Sequence, residues 1–468
     1  MYNLGLFIFR RDLRIEDNTA LSHAIDECKQ LIPIYIFTPE QTDEDKNKYK
    51  SNKSVQFMIE SLDDLEEAIK NKDGILRLYQ GEYEKIIEHI FKTNTIESLY
   101  INTDYTPYSK SRDKDINKLC DKHEVKFNCY HDVCLFVPGS IRTDSSDEVY
   151  KKFTPFYDKC MQNKDKIQDL INTRFKHEWC YKKKETKYII PLNKAYITLT
   201  DPSYHSLLQG GRNEAEKKIS KSGIDSFKKY EATRDQLSKE TTQLSPYLKY
   251  GCISIRELYH ELKKRHYTGL IRQLIWRDFY IHVLDANPRV LKGKSFKPKY
   301  DEMKWDNNIK YFNSWKEGKT GFPVVDACMR QLNTVGYMHN RGRLIVASFL
   351  IKTLFIDWRK GEKYFAQNLI DYDPAANNGN WQWVSGSGVD SQPYFRIFNP
   401  WSQSKKHDPE CVFIKKWCPE LNDIEPNHIH EWFKYSKDYD MKKIGYISPI
   451  VDYSERREMV LKAYKKIV

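Results

Sequence analysis

The chain has 468 residues, 40% of them hydrophobic and 30% charged, and its 77 Lys and Arg against 65 Asp and Glu leave a net charge of +12. This length predicts two or three domains, and the composition excludes an intrinsically disordered protein. The ten cysteines follow no disulfide or zinc spacing, so we expect neither a disulfide scaffold nor a metal site. The positive charge favours a polyanionic partner, although a lysine-rich solvated surface explains it equally well.

Strand-like and helix-like patterns alternate over residues 1–130. Short apolar runs lie at 4–9, 31–37, 75–79, 98–101 and 125–130, with helical periodicity between them. This alternation predicts a parallel α/β sheet, and we assign residues 1–130 to an α/β domain. The turn at residues 10–14 has no glycine fingerprint, so a Rossmann dinucleotide site is not expected there.

The pattern changes after residue 130. The charge-rich stretch 131–200 predicts a connector, and residues 201–468 predict a mainly helical domain. Within that domain, apolar residues at 325, 328, 329 and 332 share one helical face, Gly336 predicts the end of that helix, and the next helix is predicted over 340–357. No stretch predicts a membrane span or a signal peptide, so we expect a soluble intracellular protein of the cytoplasm or nucleus.

Side chains suited to chemistry concentrate between residues 240 and 400. Residues 371–383 read DYDPAANNGNWQW, which fits a capped loop between helices, although two tryptophans are more than a short loop needs. The hydroxyls of Thr241, Thr242 and Ser245 precede a helix predicted near Pro246. They fit either a phosphate cradle or a cluster of N-cap residues.

Two further groups permit both a functional and a packing interpretation. Gln273 and Trp276 lie three apart on a predicted helix, where an amide and an indole fit either base recognition or interior packing. Arg341 and Arg343 precede an apolar run, so at least one guanidinium needs a carboxylate or an anionic cofactor as partner. For His339 the sequence favours a helix-capping role.

The ordered set of motifs resembles the photolyase and cryptochrome family, most closely the class I cyclobutane pyrimidine dimer photolyases. The motifs are FRRDLRIEDN (9–18), TQLSPYLKYG (242–251), LIWRDFY (274–280), MHNRGR (338–343), DYDPAANNGNWQW (371–383) and YFRIFNP (394–400). The resemblance implies an N-terminal α/β antenna domain and an all-α FAD-binding domain. It also implies light-driven splitting of pyrimidine dimers in damaged DNA by an electron from photoexcited reduced FAD.

The resemblance also assigns residues. Those that would bind FAD are Tyr230, Thr241, Thr242, Leu244, Ser245, Arg277, Asn340, Arg343, Asp371, Asp373 and Asn377. Those that would bind the lesion or the DNA strand are Arg234, Gln273, Trp276, Arg341, Leu344, Trp383 and Arg396. Asn377 would face flavin N5, and the electron-hopping chain would be Trp305, Trp358 and Trp381.

Several alternatives stay open within the family. Six-four photolyases carry a histidine pair where this chain has Asn340 and Leu344, which favours dimer repair, but Gln273 replaces the glutamate usual in dimer photolyases. A cryptochrome photoreceptor without repair, a six-four photolyase and a single-strand-specific photolyase are the alternatives. Residues 104–113 lack the Asn-Glu pair of folate-binding members, so the identity of any second antenna chromophore is open. We expect a monomer.

Overall fold

The computed structural model describes residues 1–183, 185–201, 203–204 and 206–467. They form two compact units: the first is Met1–Lys228, Leu244–Pro288 and Ile370–Ala375, and the second is Lys229–Gln243, Arg289–Leu369 and Ala376–Val468. The three-part division at residues 130 and 200 stays a prediction. Its ranges include Lys184, Pro202, His205 and Val468, which lie outside the described residues.

The first unit contains a parallel sheet with strand order β3-β2-β1-β4-β5. The strands are β1 Tyr2–Phe9, β2 Cys28–Phe37, β3 Arg77–Gln80, β4 Ser98–Asn102 and β5 Lys126–Tyr130. Each overlaps one of the predicted apolar runs. β1 is buried from Leu4 to Phe9, as expected when helices cover both faces of a parallel sheet. The predicted fold class is therefore confirmed.

Helices connect and follow the strands. The earlier ones are α1 Thr19–Glu27, α2 Pro39–Thr42, α3 Asn52–Lys70, α4 Tyr83–Thr93, α5 Pro107–Lys122, α6 Phe153–Gln162, α7 Leu192–Leu199, α8 Arg212–Ile219, α9 Lys221–Asp225, α10 Tyr230–Thr233, α11 Ser245–Tyr250, α12 Ile255–Lys264 and α13 Thr268–Ala286. The later ones are α14 Ile309–Glu317, α15 Pro323–Val335, α16 Asn340–Lys352, α17 Trp358–Asn368, α18 Pro374–Ser385, α19 Pro400–His407, α20 Val412–Trp417, α21 Pro426–His430, α22 Trp432–Tyr435, α23 Met441–Ile444 and α24 Tyr453–Lys465. Within the described ranges, no helix is long and apolar enough to cross a membrane.

Part of the predicted connector covers an edge of the sheet. The backbone N–H of Gln80 donates to Tyr188 at 2.9 Å, and that of Ile190 donates to Leu78, also at 2.9 Å. An uncovered edge strand offers unpaired backbone groups to other chains, so this pairing protects β3. The contacts are single bridges, too short to leave an alternating pattern in the sequence.

Of two helices predicted in the second unit, one agrees with the structure and the other ends earlier than predicted. The helix around residues 325–332 is α15, and Gly336 ends it with φ of 68°, as predicted. The prediction that the next helix runs to residue 357 is wrong, because α16 ends at Lys352. Phe355 adopts a left-handed φ of 56°, and Asp357 then caps α17. The apolar residues 354–356 conceal this turn because they continue the apolar run of α16.

Candidate functional site

In the first unit, two carboxylates fix the short segment before α18. Ser245 Oγ donates to Asp371 Oδ2 at 2.6 Å, and the guanidinium of Arg11 pairs with Asp373. Asp373 Oδ1 also accepts from the backbone N–H of Ala375 at 3.0 Å, an N-capping contact at the start of α18. Both aspartates that the resemblance assigned to FAD therefore also organise the chain around them.

Arg11 was not among the residues assigned from the sequence. Its Nε donates to the carbonyl of Lys249 at 3.1 Å, and its Nη1 lies 3.3 Å from Asp104. Burial lowers the pKa of Arg11, but the negative charges of Asp373 and Asp104 raise it by a larger amount. The pKa of Arg11 therefore lies above its ordinary value. The available signal was the arginine-rich turn directly after a buried strand, since a guanidinium there needs carboxylate partners.

The hydroxyl cluster before α11 does not cap that helix. Leu244 occupies the N-cap position without a side-chain hydrogen bond, and the Ser245 hydroxyl is directed to Asp371 instead. In the second unit, Thr241 Oγ1 lies 2.9 Å from the hydroxyl of Tyr337. The N-cap interpretation is therefore wrong, and the phosphate-cradle interpretation stays a prediction.

On α13, Arg277 and Asp278 hold the segment that follows β5. Arg277 donates to the carbonyl of Val133, and Asp278 Oδ2 accepts from the backbone N–H groups of Leu135 at 2.8 Å and Phe136 at 3.2 Å. Burial raises the pKa of Asp278 to about 7, although Arg277 and these N–H groups lower it. The pair gives the segment at residues 133–136 one fixed position against the helix.

Gln273 and Trp276 lie on the same helix and are both half-buried. Gln273 Nε2 donates to the carbonyl of Gly269 at 3.4 Å. The indole of Trp276 stacks on Phe153, with ring centroids 3.6 Å apart and planes 6° apart. The indole also packs on Tyr280, with ring centroids 5.7 Å apart and planes 28° apart. Interior packing thus accounts for much of the indole surface, and the half-buried state leaves part of the ring exposed.

In the second unit, the start of α16 orders its polar residues. His339 Nδ1 accepts from the backbone N–H of Arg341 at 3.1 Å, so the predicted capping role is confirmed. Burial lowers the pKa of His339 to about 4, which makes the imidazole neutral at pH 7. Arg341 pairs with Asp235 at 2.7 Å, and Arg343 Nε donates to the carbonyl of Met338 at 2.9 Å.

The amide-rich segment expected to be a loop is largely helix, because α18 begins at Pro374. Asn377 Nδ2 donates to the carbonyl of Glu362 at 3.0 Å. Gln382 Nε2 donates to Asn378 Oδ1 at 2.9 Å, and Asn378 Nδ2 donates to a backbone carbonyl at 3.3 Å. The capped-loop interpretation is wrong beyond Asp373, because residues 374–385 are helical and these amides hydrogen-bond within α18 and to neighbouring segments.

The three tryptophans of the predicted electron chain differ in exposure. Trp381 and Trp358 are 2% and 1% exposed, whereas Trp305 is half-buried. Trp358 begins α17, and Gly361 lies one turn later, where a Cβ would stand 2.2 Å from Cη2 of Trp381. Residues three apart share a helix face, so α17 presents Trp358 on the side that contacts Trp381.

The segment of Trp305 is held against the residues preceding Trp358. The backbone N–H of Asp306 donates to Phe355 at 3.0 Å, and that of Asp357 donates to Asn307 Oδ1 at 3.1 Å. Trp305 itself packs on the ring of Phe355, with centroids 5.2 Å apart. The second unit thus contains two buried indoles and a half-buried one at the three assigned positions.

The remaining assigned residues are mostly accessible. Exposed ones are Arg234, Ser245, Asn340 and Arg396; half-buried ones are Tyr230, Thr241, Thr242, Leu344 and Trp383. Among the residues assigned to FAD, Leu244 and Asp371 are buried. Hydroxyl, amide and guanidinium donors in accessible positions fit a ligand that carries phosphates and a hydroxylated chain, so the donor set is compatible with FAD.

Comparison with known proteins agrees with this chemistry. The sequence model described as DNA photolyase matches residues 6–174, and the one described as the FAD binding domain of DNA photolyase matches residues 270–466. The deoxyribodipyrimidine photo-lyase of Buchnera aphidicola subsp. Acyrthosiphon pisum is 36% identical over 477 residues, covering 99% of this chain and 97% of that protein. FAD as cofactor, predicted from the sequence, is confirmed.

Solved structures give the same answer. An archaeal photolyase from Sulfolobus tokodaii with two FAD molecules is 40% identical, has a TM-score of 0.86, and is matched over 99% of this chain and 100% of its own. A bacterial class III photolyase from Agrobacterium tumefaciens is 32% identical, has a TM-score of 0.90, and is matched over 100% of this chain and 98% of its own. The chain belongs to the DNA photolyase family, as its motifs predicted.

Proposed function

We propose that this chain repairs cyclobutane pyrimidine dimers in DNA with the energy of light. Bound FAD supplies the electron chemistry, in which the photoexcited reduced flavin gives an electron to the dimer and receives it back. The protein holds the cofactor, binds a dimer flipped out of the duplex, and binds the DNA backbone. Relatives called deoxyribodipyrimidine photo-lyase, which match 98–99% of the chain, support this function.

FAD would be held by the residues that the resemblance assigned to it, which are Tyr230, Thr241, Thr242, Leu244, Ser245, Arg277, Asn340, Arg343, Asp371, Asp373 and Asn377. Hydroxyl and guanidinium groups bind the phosphates and the ribityl chain. Asn377 donates one amide N–H to the carbonyl of Glu362 at 3.0 Å, and its Oδ1 and second N–H would remain to hydrogen-bond the flavin near N5.

The observation that carries dimer binding is the pair on α13. Gln273 and Trp276 lie three residues apart on one face and both remain half-buried. The indole stacks on one pyrimidine ring of the flipped dimer, and the amide hydrogen-bonds the edge of a base. Trp383 supplies a second stacking surface. Interior packing alone does not require a half-exposed amide beside a half-exposed indole.

Dimer repair is favoured over six-four repair by α16. Asn340 and Leu344 stand where six-four enzymes carry their histidine pair, and neither side chain transfers a proton. His339 does not replace them, because it is buried, neutral at pH 7 and engaged in capping. Positions 340 and 344 therefore lack the imidazole that serves as proton donor in six-four chemistry.

Arginines and tryptophans complete the assignment. Arg234, Arg341 and Arg396 bind phosphates of the lesion strand through guanidinium–phosphate contacts, in accord with the net charge of +12. Trp381, Trp358 and Trp305 carry electrons from the surface to oxidised flavin. We also propose that the protein is a monomer of the cytoplasm or nucleus, and the presence and identity of a second antenna chromophore stay open.

Light-against-dark repair with the reduced protein tests this function. One oligonucleotide carries a cyclobutane dimer and the other a six-four lesion, and chromatography measures each lesion after illumination. We expect light-dependent loss of the dimer alone. Loss of the six-four lesion instead would give Gln273 the deciding role in specificity. An intact dimer, with a flavin that still photoreduces, would favour the cryptochrome alternative.

A further inference from the structure

Phe153, the first residue of α6, lies in a three-layer stack with α13. Its ring centroid is 3.6 Å from that of Trp276, with the planes 6° apart. The guanidinium carbon of Arg272 lies over the same ring, 4.9 Å from its centroid. An indole this close covers one face of the phenyl ring, so the guanidinium occupies the other face.

The spacing of the two outer layers explains why Phe153 fits between them. Arg272 and Trp276 are four residues apart on α13, which places their side chains on one face of the helix, one turn apart. Phe153 enters from α6 and is 1% exposed, so the stack leaves almost none of its own ring accessible. Tyr157, one turn further along α6, contacts the same guanidinium at 4.5 Å. The residues on both sides of this contact therefore belong to helices, Phe153 and Tyr157 to α6 and Arg272 and Trp276 to α13.

This stack fixes the plane of a half-buried indole. A tryptophan has two side-chain torsions, and a coplanar neighbour removes most of the alternatives that an accessible ring would sample. A base that stacks on an already ordered ring loses less conformational entropy on binding. With one indole face covered by Phe153, a base contacts the remaining exposed part of the ring.

We propose that Phe153 is a positioning residue for dimer binding, which acts by holding the Trp276 indole in the plane that receives a damaged base. The inference rests on the proposed function, because it needs Trp276 to stack on the lesion. Because its ring is 1% exposed, Phe153 itself offers almost no surface to DNA or cofactor. It therefore affects affinity for the lesion and leaves the photochemical step unchanged once the dimer is bound.

The test compares three variants. Phe153→Leu removes the aromatic ring but keeps an apolar side chain, and Phe153→Tyr keeps the ring. The matched control is Phe156→Leu, on the same helix and 0% exposed, whose ring packs on Phe279 and His282, with centroids 5.3 Å and 5.0 Å away. Binding is measured by fluorescence anisotropy with a dimer-containing and an undamaged oligonucleotide, and repair is measured with saturating dimer.

We expect Phe153→Leu to weaken dimer binding about tenfold, since loss of one base–aromatic stack costs about that factor. Binding to undamaged DNA, which rests on phosphate contacts, stays unchanged, as does repair at saturating dimer. Near-ultraviolet circular dichroism changes in the tryptophan region. Phe153→Tyr and Phe156→Leu retain dimer affinity.

Two results would overturn the proposal: dimer affinity of Phe153→Leu equal to that of the unmodified protein, or equal losses in Phe153→Leu and Phe156→Leu, which would indicate general packing. Failure of the proposed function is distinguishable because it is seen without any variant. In that case the unmodified protein binds dimer and undamaged DNA equally, and the inference falls with it.

Discussion

The first unit buries carboxylates beside guanidinium groups. The side chain of Asp132 is 1% exposed, and its two oxygens lie 2.6 Å from Arg14 and 2.8 Å from Arg256. Asp17, also buried, pairs with Arg256 at 3.1 Å. Burial raises the pKa of Asp132, but the two arginines lower it more strongly, so the net pKa lies well below its usual range. The same principle places Arg11 beside the assigned FAD residue Asp373.

In the second unit, the buried carboxylate of Asp326 accepts hydrogen bonds from neutral donors instead of arginines. Asp326 is 0% exposed and accepts from the backbone N–H of Thr320 at 2.7 Å and from the Tyr446 hydroxyl at 2.6 Å. These hydrogen bonds do not outweigh burial, which raises the pKa of Asp326 above its usual value. The largest buried side chains of this unit are Trp315, Trp358 and Trp432. The difference teaches that two guanidinium partners hold the pKa of the buried Asp132 carboxyl below its usual value, whereas the neutral donors around Asp326 do not.

Replacing one buried tryptophan of the second unit tests the predicted electron chain, and we expect it to give the largest functional effect. Trp381→Phe abolishes photoreduction of oxidised flavin, because phenylalanine is too hard to oxidise to pass an electron on. Repair by protein whose flavin is reduced chemically beforehand persists. Absorbance changes under blue light with an external reductant measure the first, and dimer loss measures the second.

The control for this variant is Trp432→Phe. Trp432 is 0% exposed in the same unit, and its ring contacts are with Tyr439 and Tyr446, outside the predicted chain. We expect the Trp432→Phe variant to lose stability through the same change of side-chain volume but to retain photoreduction of its flavin. Normal photoreduction in Trp381→Phe, or equal loss in both variants, would contradict the assigned electron route.

Breaking an arginine pairing gives the next largest effect, on stability. Asp132→Asn leaves Arg14 and Arg256 without their charged partner, and we expect the free energy of unfolding to fall by about 3–5 kcal/mol. Because the folded pKa of Asp132 is depressed, its stabilisation is complete above the unfolded value of about 3.9 and is lost as pH falls through the lower folded value. Urea unfolding at several pH values measures both.

The matched control is Asp144→Asn, which removes an exposed carboxylate paired with Lys159 in the same unit. An exposed pair is screened by solvent, so its unfolding midpoint should not change. Equal midpoints for Asp132→Asn and Asp144→Asn would show that the buried pairs do not stabilise the first unit.

The neutral-donor carboxylate predicts a smaller effect with the opposite pH dependence. Asp326→Asn places an amide against donors that need an acceptor, and we expect a loss of about 1–3 kcal/mol. The folded pKa of Asp326 is raised, so its contribution is complete below the unfolded value of about 3.9 and is lost as pH rises through the folded value. The variant should therefore show a flatter stability–pH curve above about pH 4 than the unmodified protein. An unchanged slope in urea unfolding would contradict the raised pKa.

The two units also differ in how much the sequence predicted. The five strands were predicted because each contains a short run rich in apolar residues, which is continuous in β1 at Leu4–Phe9. The edge pairing of Tyr188 was not, because a single bridge has no periodicity. In the second unit, α15 and its glycine cap followed from spacing, but the end of α16 did not, since a left-handed Phe355 is set by tertiary packing rather than by residue type.

The same distinction holds for the site. Residue types and order were enough to select Ser245, Asp371 and Asn377, because their motifs are contiguous in sequence. Their partners were not predictable, since the Arg11–Asp373 pairing joins residues 362 positions apart. Stacking of Phe153 on Trp276 is equally nonlocal. Long-range pairing depends on the folded backbone, and a single sequence contains no periodic trace of it.

Gln273→Glu extends the comparison by adding a carboxylate to the unit in which Asp132 is paired with two arginines, and it has the smallest expected effect. A charged acceptor makes hydrogen bonds roughly twice as strong as a neutral one, so we expect dimer affinity or repair efficiency to rise about fivefold. The control is Gln236→Glu, which changes the net charge equally at an exposed position of the second unit and should slightly weaken DNA binding. Repair yield per absorbed photon and dissociation constants for the dimer measure the outcome. If Gln273→Glu behaves as Gln236→Glu does, residue 273 does not contact the dimer, and Trp276 alone on α13 would carry lesion recognition.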